Sequence, residues 1–200
     1  MSADYRARAH EGCASLRATL WAEWAALATA CEDHGVSALF GADHYLSPRA
    51  GGRAALDIWG VLCALGALTS RIKLGALVSP TSFRHPTVLA KLAITADHVS
   101  GGRIELGMGA GWHAAEHRAY GFPFHPLRTR MDIFAEQVQV VSGLLGPSAF
   151  SFTGSHYAYA GVDALPKPVH GALPLIVGGA AGPRSVRIAA GSADAYNSRR

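Results

Sequence analysis

Leu74-Gly75-Ala76-Leu77-Val78-Ser79-Pro80, then Phe83-Arg84-His85-Pro86, a helical run, and Ser100-Gly101-Gly102-Arg103-Ile104-Glu105-Leu106-Gly107-Met108-Gly109-Ala110-Gly111-Trp112 decide the fold. Two short apolar runs without polar alternation each end in residues whose backbone a ligand can approach, and a helix joins them. Non-alternating strands separated by helices belong to parallel sheets covered on their faces. Pro86 suits the first turn of the joining helix, which is expected to run to about His98. The strands are expected over Ile72–Val78 and Arg103–Met108.

Outward from this core the same alternation continues. Trp21–Asp33 is Ala-rich and helical, and Gly35 can end it in a left-handed cap. Val36–Gly41 reads as a strand that hands over to a polar loop, Ala42-Asp43-His44-Tyr45. Leu56–Thr69 reads as a helix. Arg128–Leu145 is a long helix with Met131, Phe134, Val138, Val141 and Leu145 on one face. Pro147–Gly171 is rich in Pro, Gly, Ser and Tyr and reads as an inserted excursion. Leu173–Val177 is expected as a strand with Gly178-Gly179 at its exit. Arg184–Ala190 is a short helix, and Asp194–Asn197 begins another strand. The order predicts a parallel α/β fold, with the strands at 36–41, 72–78, 103–108 and 173–177 as adjacent neighbours. Linear order alone leaves an open sheet and a barrel equally available.

Composition narrows the classes. Two hundred residues, half of them apolar, suit one domain with a sizeable core. The formal charge is +4, and the arginines, among them Arg6, Arg49, Arg71, Arg84, Arg103 and Arg184, are scattered rather than gathered into one stripe. No nucleic acid partner is expected from that pattern. Cys13, Cys31 and Cys63 lack metal-ligand spacing and read as small buried hydrophobes. No apolar run is long enough to span a membrane, and no leader-like segment opens the chain, so a cytoplasmic location with no membrane partner is expected.

Several residues could carry chemistry. Asp43 and His44 sit at a strand end, where an imidazole can hydrogen-bond a cofactor carbonyl or relay a proton. The plainer reading is a capping Asp and a solvated loop His. Gly75–Pro80 could support a flat ring, or Gly75 could simply relieve crowding in a core strand. Gly107, Gly109 and Gly111, with Trp112 after them, leave room for a ligand against the backbone, and Gly178-Gly179 forms a second such nest. Arg103, after Gly101-Gly102, falls at the opposite end of the strands and reads as an arginine tied to a helix end. His113, Glu116 and His117 could pass for a metal cluster, but no H-E-x-x-H arrangement occurs and no metal is expected. Neither the G-x-G-x-x-G of a dinucleotide fold nor a G-x-S-x-G elbow is present.

These same residues carry a resemblance. Gly41-Ala42-Asp43-His44, Thr69 to Gly75, Arg84-His85-Pro86, Asp97 to Arg103, Gly107 to Trp112, Glu116, Arg130, Glu136, Phe152-Thr153-Gly154, Pro166-Lys167-Pro168 and Val177-Gly178-Gly179 resemble the bacterial-luciferase-like family of flavin- and F420-dependent oxidoreductases. The similarity runs from about residue 21 to 198, and the order of the pieces makes it specific. It implies a (β/α)8 TIM-type barrel, with the insertion near residues 147–171, filling 1–200 as one domain. It implies F420 or FMN as cofactor. The leading function is hydride transfer between F420 and a small organic substrate, with FMN-dependent monooxygenation and an inactive barrel remnant or binding protein as alternatives. His44 resembles the catalytic strand-end residue, with Asp43 beside it in the cofactor site. Ala76-Leu77 resembles a non-prolyl cis peptide behind the ring. Gly109, Ala110, Gly111 and Trp112 resemble the loop beside the ring, and Gly178-Gly179 the phosphate loop. The barrel is expected to be incomplete, without strands seven and eight and without an apolar first strand in residues 1–20. Low stability as a monomer, and homo-oligomers or association through the open edge, are the corresponding expectations.

Overall fold

A computed structural model describes residues 20–46 and 55–198. The segment expected to lack a first strand falls mostly outside the described residues, and Cys13 falls wholly outside them. The elements in chain order are α1 (Trp21–Asp33), β1 (Ala38–Gly41), α2 (Ile58–Leu68), β2 (Lys73–Pro80), α3 (Pro86–Ser100), β3 (Ile104–Gly109), α4 (Ala114–Tyr120), α5 (Leu127–Leu145), β4 (Phe150–Thr153), β5 (Ala158–Val162), β6 (Leu175–Gly179), α6 (Pro183–Ser192) and β7 (Ala195–Ser198).

Five strands form one parallel sheet in the order β1-β2-β3-β6-β7, which is also their order along the chain. The four expected strands are therefore adjacent parallel neighbours, without the reversal of a doubly wound sheet. The sheet is a curled half-barrel. The central strand buries both faces, as the non-alternating sequence demands: every residue of β3 is buried, while the edge strands β1 and β7 are only partly covered. Gly75 is glycine for a local reason, because a Cβ there would meet the Phe40 ring at 2.6 Å and also the Glu105 carbonyl. The crowding reading of that residue is correct.

The helices pack where their periodicity points. Trp24, Ala28 and Cys31 form the buried face of α1. Asp57 caps α2 by accepting the Gly60 N–H at 3.1 Å. Pro86 opens α3, and Gly101, at φ 69°, closes it. On α5, Phe134, Val138, Val141 and Leu145 are buried as expected, joined by Gln137, Val140 and Leu144, while Met131 is only half-buried.

The 147–171 excursion contains an antiparallel hairpin, β4 with β5, that the sequence reading left without secondary structure. The missed signal is a period of two: Phe150, Phe152, Tyr157 and Tyr159 turn inward, and Ser151, Thr153, Ala158 and Ala160 face out. Glu136 on α5 holds its turn, accepting the N–H groups of Ser155 (2.7 Å), His156 (2.9 Å) and Tyr157 (3.2 Å). The excursion then returns across α3, where buried Asp97 accepts the Val169 N–H at 2.9 Å.

At the N-terminal ends of the strands, Arg103 closes two helix ends at once. Its Nη2 donates to the Gly66 and Thr69 carbonyls at 2.7 Å each. Its Nη1 donates to Thr69 Oγ1 and the Ile72 carbonyl at 2.8 Å each, and its Nε to the Ser100 carbonyl at 2.7 Å. These carbonyls lack helical partners, so one guanidinium satisfies the C-terminal turns of α2 and α3. Beside it Glu32, in the last turn of α1, accepts the N–H groups of Ser70 (3.0 Å), Arg71 (2.5 Å) and Ile72 (2.9 Å).

Candidate active site

The loop after β1 places Asp43 and His44 at the C-terminal ends of the strands, the face that carries active sites in barrels. Asp43 is buried. Its Oδ2 accepts from Ser79 Oγ at 2.7 Å and from Arg84 Nη1 at 2.5 Å. Ser79 in turn accepts the indole N–H of Trp59 at 3.0 Å, which orients its own proton toward Asp43. Arg84 also donates to Tyr45 Oη at 2.7 Å and to Asp57 Oδ1. Burial pushes the Asp43 carboxyl up, against the downward pull of Arg84 and Ser79. Its second oxygen, Oδ1, is buried with no hydrogen-bond partner.

His44 is held from the other side of the site. Its Nδ1 lies 2.8 Å from Glu116 Oε2 on α4, and the Glu116 side chain is fully buried. Glu116 Oε1 accepts the backbone N–H groups of Tyr45 (2.5 Å) and Leu46 (2.8 Å). A carboxylate only accepts, so the Nδ1 that faces it carries a hydrogen, and Nε2 is the ring nitrogen left to gain or lose a proton. Tyr120 Oη adds a bond to the Tyr45 carbonyl at 3.0 Å, so α4 holds residues 44–46 of the loop. Trp112 meets the His44 ring edge-on, with centroids 5.7 Å apart, and stacks on His113 at 5.1 Å. His117 points the other way: its Nδ1 donates to the His113 carbonyl at 2.8 Å, so its Nε2 accepts from Ser82 Oγ at 2.6 Å.

The small residues line the sheet between these groups and β6. Gly109 ends β3 and Gly178 lies in β6, paired with Asn197. A Cβ on either would meet Val78 at 2.6 Å. Three corrections to the sequence reading follow. Gly107 lies inside β3 rather than at its exit. Gly178 and Gly179 are paired strand residues, because β6 starts and ends two residues later than expected; the left-handed turn falls at Ala181, φ 56°. The non-prolyl cis peptide is Leu77–Val78, not Ala76–Leu77. Ala76 is still paired with Leu106 and fully buried, and the ladder shifts only between it and Ser79. Ala110 is half-buried, and the Gly111 carbonyl accepts from Arg130, whose guanidinium lies 4.2 Å from the centre of the Phe124 ring.

Residues 1–198 match the family described as luciferase-like monooxygenase. The chain belongs to this family. An uncharacterized protein of Mycobacterium tuberculosis is 33% identical over 141 residues, covering 70% of this luciferase-like chain and 49% of its own. The F420-dependent glucose-6-phosphate dehydrogenase of Nakamurella multipartita is 32% identical over 178 residues, 87% of this chain and 51% of that one. Among solved structures, the coenzyme F420-dependent tetrahydromethanopterin reductase from Methanopyrus kandleri has the same fold, with a TM-score of 0.78 at 24% identity over 92% of this chain and 54% of that one. The chain spans about half the length of the curated relatives it matches.

Within this luciferase-like site the fold brings His44 and Trp112 into ring contact, and sets Gly109 and Gly178 on neighbouring strands around Val78. Ala76 is walled into the core. The sequence does not reveal the partners of Asp43 and His44: Ser79 and Glu116 carry no motif that ties them to a strand end 36 and 72 residues earlier. Arg84 was singled out, but without its partner Asp43. A cavity of about 390 Å³ near Ser142, Leu173 and Asp194 lies at the start of β6 and shares none of these residues. No described helix is long and apolar enough to cross a membrane.

Proposed function

We propose that this chain supplies the cofactor-binding strand ends of an F420-dependent oxidoreductase that moves a hydride between the deazaflavin and a small organic substrate. The observation that carries this reading is His44, whose Nδ1 is tied to buried Glu116 so that Nε2 is left as the acceptor. The residues present fit a flat ring with hydrogen-bonding edges. Asp43 Oδ1 is a buried acceptor in want of a donor, and glycine at 109 and 178 makes room for the Val78 side chain on the neighbouring strand, the proposed support for the ring. Bound there, the deazaflavin supplies the two-electron chemistry.

The protein's own part is to bind, orient and take a proton. His44 Nε2 accepts a hydroxyl proton from an alcohol substrate, and Glu116 steadies the imidazolium that results. Trp112, half exposed, offers an aromatic wall beside His44. Gly178, Gly179 and the turn through Ala181 into α6 are the proposed phosphate contact, as the family resemblance suggests. The relative that is a glucose-6-phosphate dehydrogenase favours F420. The family's description as monooxygenases favours the second reading, reduced FMN with oxygen.

Fluorescence titration of the purified chain with F420 and, separately, FMN tests both. Binding of F420 at least about tenfold tighter, a difference of roughly 1.4 kcal/mol, is the expected result. Tighter FMN binding would favour the monooxygenase, and saturable binding of neither would remove the proposal.

A further inference from the structure

We propose that His44, His113 and Glu116 form a binding site for one divalent transition-metal cation of the zinc class, bridging the loop after β1 and the start of α4. Each residue offers one ligand atom, and the three atoms lie within 4.8 Å of one another. Glu116 Oε2 is 2.8 Å from His44 Nδ1 and 3.5 Å from His113 Nδ1. Zinc holds nitrogen and oxygen ligands at about 2.0–2.2 Å, so small side-chain shifts close the three around one ion. Two imidazoles and a carboxylate suit zinc or its neighbours in the first row; calcium and magnesium prefer all-oxygen sites.

A second observation points to a ligand here. His113 Nδ1 is buried and has no hydrogen-bond partner. It faces the same carboxylate oxygen that His44 engages, but from beyond good hydrogen-bond distance. A lone pair held there is repelled by the carboxylate and satisfied by nothing; a cation between the three groups satisfies it. The surroundings are already arranged for ligation. Glu116 Oε1 is pinned by the Tyr45 and Leu46 N–H groups, and Trp112 braces both imidazole rings. Ligating carboxylates and imidazoles are usually held in this manner by neighbours. The His44 and His113 side chains are 17% and 15% exposed, so the ion has a route in and an open fourth position for water.

Ligation through Nδ1 requires the His44 ring proton to move from Nδ1 to Nε2, so the metal-bound form and the hydrogen-bonded form of that ring are alternative tautomers. The inference goes beyond the proposed redox function and does not depend on it. Spacing in the sequence hides the site, because His44 and Glu116 stand 72 residues apart.

Titrating the chelator-stripped chain with Co2+ tests it through the visible ligand-field absorption of the bound ion. One equivalent should bind, Zn2+ should displace it, and His113→Ala should weaken binding by about tenfold or more with unchanged circular dichroism. His98→Ala, a control remote from the cluster, should bind as the wild type does. No saturable absorption with the wild-type chain would overturn the proposal. So would equal affinity in His113→Ala, which would assign the ion to other histidines. If His113→Ala does not fold, Zn2+-induced shifts of the wild-type histidine ring resonances decide: the His44 and His113 rings must move, and the others stay. F420 affinity, measured on the metal-free protein, reads the redox proposal separately.

Discussion

The two ends of the sheet are both built on charged side chains tied to loop and helix-end backbone, half-buried at one end and buried at the other, and they treat those charges differently. At the N-terminal end Arg103 finds five acceptors and Glu32 three backbone donors. At the C-terminal end the described residues leave buried polar atoms without partners: Asp43 Oδ1, His113 Nδ1 and Gln137 Oε1. Gln137 belongs to this end because its amide donates to the Thr81 and Arg84 carbonyls of the loop after β2. A buried polar group without a partner costs about 1–3 kcal/mol. Such groups gathered at one end, against the well-paired Arg103 and Glu32 at the other, set apart the end where the ligand site is proposed from the end that secures the fold.

Substitutions at each end should therefore fail in different ways. His44→Ala is expected to lower turnover by about 10²–10⁴-fold, the usual worth of a positioned acid–base group, with little change in melting temperature. Steady-state assay beside thermal unfolding checks both halves; a large loss of stability would break the contrast. Arg103→Met should do the reverse. It abandons several helix-end carbonyls and should cost about 2–4 kcal/mol, while the folded fraction binds cofactor as before. Denaturant titration reads the loss, and impaired cofactor affinity at full folding would show that the two ends are not separable.

A smaller and pH-dependent effect belongs to Glu32. Burial raises its carboxyl, but the N–H donors of Ile72, Arg71 and Ser70, with the Arg71 guanidinium, bring it from 4.5 down to about 2. A carboxyl lower in the folded than in the unfolded chain adds stability above the unfolded value, and that stability is lost as the pH falls through the folded one. The melting temperature should thus decline from about pH 4.5 toward pH 2. Glu32→Ala should cost about 1–2 kcal/mol at neutral pH and flatten the decline. An unchanged slope in the variant would assign the acid sensitivity elsewhere.

The contrast also explains what could be read from the chain. The parallel neighbours β1, β2, β3 and β6 were legible because short apolar runs between helices admit few other arrangements. Arg103 was legible as a helix-end arginine because Gly101 and Gly102 mark the turn beside it. The hairpin β4–β5 was masked by the Gly and Pro around its alternation. Asp43 and His44 were legible from their place at a strand end. Their partners were not, since Glu116 and Ser79 approach only once three strands are in register. The cis bond was missed by one residue, because a resemblance transfers a local feature no more finely than it aligns. Replacing Gly178 also means something other than the sequence suggests: a side chain there strikes Val78, so such a variant tests packing as much as phosphate binding.

One more consequence follows from the link between Glu116 and the backbone of residues 45 and 46. The contact closes a loop of about 70 residues and is made by a seven-residue helix, too short to hold itself. Residues 44–46 can settle only after β1, β2 and β3 have zipped together and α4 has come down on them. In folding time this corner, the candidate site, is thus among the last parts to form, and in the native state among the first to open. Amide exchange at Tyr45 and Leu46 should run ahead of that in β2 and β3, and should quicken in step with the fraying of α4.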